Sequence, residues 1–85
     1  MNWDDVKKAY PSQWALIEAI EARTENDRRI IDKMDVVESF GDDGDRAFKR
    51  YIELHRLHKE REYFIYHTSH ETLDLKVKRW MGVRL

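Results

Sequence analysis

Four histidines stand as two pairs, His55 with His58 and His67 with His70, each pair three positions apart. On a helix that spacing puts two imidazoles on one face, which is how a pair can reach one metal ion. Glu62 or Glu71 could add an oxygen ligand to the second pair. The competing reading is packing. His58 falls near the middle of an apolar sector and His55 toward its edge, and His58 in a last helical turn also suits the negative end of the dipole. Packing accounts for the residues with fewer parts, so no metal and no cofactor are expected.

Nucleophile candidates are Ser12, Ser39, Ser69, Thr24, Thr68 and Thr72, and among them Ser69 sits between histidines, in His67-Thr68-Ser69-His70. Activating a hydroxyl needs a base and an orienting group that usually come from distant segments, so near neighbours in sequence are a poor start. The acid pair Asp42-Asp43 is better explained as helix capping. No enzyme is expected. Nucleic-acid binding has more of its ingredients. Single-strand binders present aromatic rings on a sheet with cations around them. Here Trp14, Tyr63, Tyr66 and Trp80 accompany Lys76, Lys78 and Arg79. Against that stand an acidic balance, with a pI near 6.4, and a small protein's own need for aromatic core.

These residues must be positioned by elements that the sequence also predicts. Asp42 to Lys59 reads as an amphipathic helix: Ala47, Phe48, Tyr51, Leu54, His55 and His58 share one sector, with Lys49, Glu53, Arg56 and Glu60 opposite. Gly41 and the aspartates 42, 43 and 45 write its start. Tyr63 to Thr68, dense in aromatic and β-branched residues, predicts a strand. A strand needs partners, so 13–22 and 28–38 are expected to form a β-hairpin around Glu25-Asn26-Asp27, where Asn tolerates positive φ. Asn2 can cap a short helix over Trp3 to Ala9, which Pro11 stops. In the tail, 72–81, Leu73, Leu75 and Val77 alternate with Asp74, Lys76 and Lys78 and favour a strand. Leu73, Val77, Trp80 and Met81 form the alternative helical stripe. The loop Ser69-His70-Glu71 would then join antiparallel neighbours. The expected fold is α+β, a small antiparallel sheet in β-β-α-β-β order with one amphipathic helix on one face; the alternative is β-β-α-β-α.

Tyr10-Pro11-Ser12-Gln13-Trp14-Ala15-Leu16, Phe40-Gly41-Asp42 and Arg61-Glu62-Tyr63-Phe64-Ile65-Tyr66-His67-Thr68 resemble stretches of short uncharacterised prokaryotic proteins of unknown function. The resemblance rests on packing residues and implies no activity.

Length and composition set the remaining bounds. Eighty-five residues, 41% hydrophobic and 39% charged with no cysteine, predict one domain over 1–85 without disulfides or thiolate zinc sites. Neither a signal peptide's apolar run nor a membrane span is visible, which makes a soluble, cytoplasmic protein the expectation. Residues 1–45 carry 12 acids and 6 bases, and residues 46–85 carry 5 acids and 10 bases, so the halves are oppositely charged. Both parities of 13–20 and of 63–66 are apolar, so both sheet faces need cover: from the N-terminal turn with Trp3 and the tail with Trp80, or from a partner. By elimination the leading function is a non-enzymatic protein–protein interaction or regulatory module. Its partner would be another protein or a second copy, with single-stranded nucleic acid as the alternative and a His-based metal site as the second.

Overall fold

Asn26 and Asp27 both adopt positive φ, 49° and 64°. Two such residues between strands make the two-residue turn whose twist suits a hairpin. The turn is tighter than the expected loop, so the strands run further toward it: β1 spans Trp14–Glu25 and β2 spans Arg28–Ser39 in a computed structural model that describes residues 1–76. Around this hairpin stand α1 (Trp3–Ala9), α2 (Gly44–Leu57), β3 (Glu62–His67) and the two-residue β4 (Leu75–Lys76). The sheet is antiparallel in the order β3-β1-β2-β4.

The α+β class and the antiparallel sheet are as expected, while the order differs in detail. A helix precedes the hairpin, and the last strand is reduced to a short bridge to Arg28 and Arg29. With three long strands and two helices, the fold stands nearer the β-β-α-β-α alternative in its make-up. The expected helix or strand beyond Lys76 lies outside the described residues. The expectation that Ser69-His70-Glu71 joins neighbouring strands is corrected: β3 and β4 lie at opposite edges, so the connection crosses a sheet face. It does so because Leu73 packs into the core under that face.

Alternation along β1 sends Ala15 and Ile17 to one face and Leu16 to the other, and both sets are fully buried. On the first face Ala15, Ile17 and Met34 pack with Trp3 and Val6 of α1, flanked by Phe64, Tyr66 and Leu73. On the second face Leu16, Tyr63 and Ile65 pack with Leu54 and Tyr51 of α2 and with Phe40. The greasy second parity is therefore met within the chain, Trp3 being part of the cover; Trp80 lies outside the described residues. Three register shifts in the hairpin leave Ile20, Asp32 and Val37 without cross-strand partners, and this turns Ile20 and Val37 toward solvent.

Several local bonds hold the cover in place. Asn2 caps α1 by accepting from the Asp5 N–H at 2.9 Å, and the Asp5 carboxylate accepts the Asn2 N–H at 3.2 Å. The Trp3 indole N–H donates to the His70 carbonyl at 3.0 Å and the Lys7 ammonium to the Glu71 carbonyl at 2.8 Å. Buried Thr68 ties the end of β3 to the turn before β1, its hydroxyl donating to the Tyr10 carbonyl and accepting from the Gln13 N–H. No helix among the described residues is long and apolar enough to cross a membrane.

Candidate functional site

Helix α2 is shorter than its amphipathic pattern, because Asp43 takes the N-cap, accepting from the Arg46 N–H at 3.0 Å, and His58 with φ −129° ends it. Ala47 and Leu54 are its buried residues, and half-buried Tyr51 packs beside them. Phe48, expected on the same face, is 52% exposed, and His55 is also exposed. The apolar arc read from the sequence was wider than the strip a helix can press onto β1 and β3, so its edge turned outward. There the rings stack on one another: Phe48 on Tyr51 at 6.3 Å and Tyr51 on His55 at 5.8 Å between centroids, with planes 22° and 15° apart.

The opposite flank of α2 is charged and faces β2. Arg46, Lys49, Arg50 and Glu53 line a shallow groove of about 430 Å³ with Glu38 and Phe40. Arg50 bridges Glu53 at 3.0 Å and Glu38 at 3.5 Å, and the Arg46 guanidinium lies 5.9 Å above the Phe40 ring. The groove largely neutralises itself. With that flank toward β2, the aromatic flank overlooks the outer side of β3.

The hydrogen-bond phase of β3 follows from one pair. Thr68 N–H donates to the Gln13 carbonyl at 2.9 Å, and the β1–β3 register runs unbroken from there. Antiparallel alternation then points the backbone groups of Glu62, Phe64 and Tyr66 into β1 and those of Tyr63, Ile65 and His67 outward. The His67 carbonyl accepts from the His70 N–H at 3.3 Å. Among the described residues no strand lies on that outer side, so the N–H and C=O of Tyr63 and Ile65 and the N–H of His67 face outward without a strand partner. The β2 edge is better closed, with β4 at one end and the Met34 N–H donating to the Met1 carbonyl at 2.9 Å further along.

The residues read from the sequence as a contact platform are dispersed. Trp14 lies against Gly44, whose missing Cβ would come within 3.1 Å of its ring, and meets His67 edge-on at 5.2 Å. Tyr63 is buried under α2. Tyr66 is on the α1 face, edge-on to Trp3 at 5.6 Å and 4.9 Å from His70. Lys76 belongs to β4 at the far edge, and Lys78, Arg79 and Trp80 lie outside the described residues.

No family model, curated protein or solved structure matches the chain.

The histidine pairs do not gather further ligands: among the described residues no three His, Asp or Glu side chains converge on a metal-sized site. His58 caps α2 with Nδ1 3.9 Å from Glu60. The Ser69 backbone N–H donates to His67 Nδ1 at 3.2 Å, and the Ser69 hydroxyl lies 2.8 Å from the same nitrogen. That contact closes the turn after β3. At the other end of the strand Arg29 grips Glu62 with two hydrogen bonds, 2.6 and 2.9 Å, and these hold the Glu62 carboxyl below its ordinary range.

Sequence reasoning missed the β3 edge and the exposed ring stack. The signal for the first was present in part: Tyr63 to His67 contains no Pro, Lys or other formally charged residue of the kind that guards an outer strand, Glu62 at the start being the one charge.

Proposed function

We propose that this chain is a non-enzymatic interaction module that binds a partner protein by adding one of its strands to the outer edge of β3. The observation that carries this reading is the outward row of backbone groups on Tyr63, Ile65 and His67, a stretch without Pro, Lys or a formal charge. Main-chain bonding gives such an edge its affinity, and the apolar flank of α2 above it gives the incoming strand a surface to rest on. Catalysis has no part in it.

The test is amide exchange followed by NMR, using a peptide with the chain's own sequence 61–69 as the strand probe. In the dilute protein the Tyr63 and Ile65 amides should exchange much faster than those of Phe64 and Tyr66, which bond to β1. Saturating peptide should slow Tyr63 and Ile65 and leave distant amides alone. Strand addition should survive moderate salt, whereas a single-stranded oligonucleotide would bind with steep salt dependence. Equal protection of all four amides at a dilution where the chain is monomeric would show the edge to be already covered and would sink the reading.

A further inference from the structure

Resting on that reading, we infer that the partner at the β3 edge is a second copy of this chain, joined about a two-fold axis through Ile65. An antiparallel joint between identical edges must oppose outward residues to outward residues. Centring it on Ile65 uses all three: Ile65 faces the second copy's Ile65, and Tyr63 faces its His67 in both directions. The neighbouring pairs, Phe64 with Tyr66 and Glu62 with Thr68, bring no like charges together. At each end the chain enters β3 through Lys59-Glu60-Arg61 and leaves through Ser69-His70-Glu71. Both segments turn away from the strand, so the joint is confined to β3 itself.

The helix supplies an independent match. Both copies of α2 would lie on the same face of the continuous sheet, antiparallel, with their aromatic flanks toward each other. Gly44 starts α2 against Trp14, which pairs with His67. From that level the helix rises about 1.5 Å per residue and the strand about 3.3 Å. Four helical residues and two strand residues therefore advance by nearly the same distance, and Phe48 comes level with Ile65. The most exposed aromatic ring of α2 thus stands nearest the axis, where it meets its own copy. Its neighbours on that flank, Tyr51, Ile52 and His55, carry no formal charge when His is neutral, so the helices approach without repulsion. A strand edge without a partner strand among the described residues and an exposed ring stack, otherwise unrelated, have one common explanation.

Light scattering coupled to size exclusion over micromolar to near-millimolar concentrations tests this on the full chain. The expected mass rises toward twice 10.4 kDa, and F48E, at an exposed position that leaves the core intact, should weaken dimerisation at least tenfold while keeping the wild-type circular dichroism. Because the chain has no cysteine, I65C gives a second and direct readout. Mild oxidation should yield a covalent dimer, whereas T24C beside the hairpin turn should not. One-chain mass throughout overturns the proposal, as does a dimer indifferent to F48E and without the Ile65 cross-link. The peptide-protection experiment is read separately. Protection by peptide in a strictly monomeric protein would discard the second copy and keep the strand-adding edge, and its absence would discard both.

Discussion

Phe48 and Leu54 look alike on a helical wheel and differ sharply in the fold. Leu54 is 8% exposed against Leu16 and Tyr63, and Phe48 is 52% exposed. Leu54→Ala should therefore cost about 2–5 kcal/mol and Phe48→Ala less than about 0.5 kcal/mol, measured by urea denaturation at a concentration where the chain is monomeric. Comparable losses would place α2 in the wrong rotation. Glu62 supplies a pH signature. Its folded pKa is depressed by Arg29, so its contribution is complete above the unfolded carboxylate value of about 4.3 and is lost as pH falls through the folded value. Both side chains are partly solvated, which keeps the effect to ~0.2–1 kcal/mol. Glu62→Gln should lower the urea midpoint at about pH 7, and the two proteins should converge once the pH has fallen below the folded value. A gap that persisted unchanged in acid would mean that the ion pair contributes nothing.

At the scale of elements, the hairpin turn is the place where a local rule is strained. Asp27 at φ 64° occupies a region that an L-residue enters at a cost of roughly 1 kcal/mol and that glycine enters freely. Asp27→Gly should raise the melting temperature, with Asp27→Val lowering it; the opposite order would rule out this turn geometry. Helix caps, the hairpin and the packing stripe through Ala47, Tyr51 and Leu54 were legible in the sequence because each is written within a few residues. The place of β3 was not. Which side of the hairpin a later strand joins is decided by contacts far apart in sequence, Thr68 with Gln13 and Trp3 with His70, and no local pattern encodes them. The exposure of Phe48 was hidden for the same reason, since it depends on how much sheet lies beneath the helix. For the candidate site, the strand itself was visible, while the freedom of its outer edge required the strand order.

For the molecule as a whole, α1 is the cover without which one face of the sheet lies open. Trp3 fills that face beside Val6 and Tyr66 and bonds to the His70 carbonyl. Trp3→Ala should cost about 3–5 kcal/mol, a large part of the ~4–13 kcal/mol available to a chain of this size. A melting curve that stayed sharp and unshifted would show that α1 is dispensable. The bond between Trp3 and His70 spans 67 positions of sequence, and the one between Lys7 and Glu71 spans 64. A helix of seven residues has no stability of its own in water. It must wait until β3 has paired and the chain beyond it has turned back over the sheet. Synthesis and folding therefore run in opposite directions for this segment: α1 leaves the ribosome before the sheet it covers and docks after it. In a refolding experiment the Trp3 fluorescence change should belong to the slowest step, and in unfolding α1 should be the first element to let go.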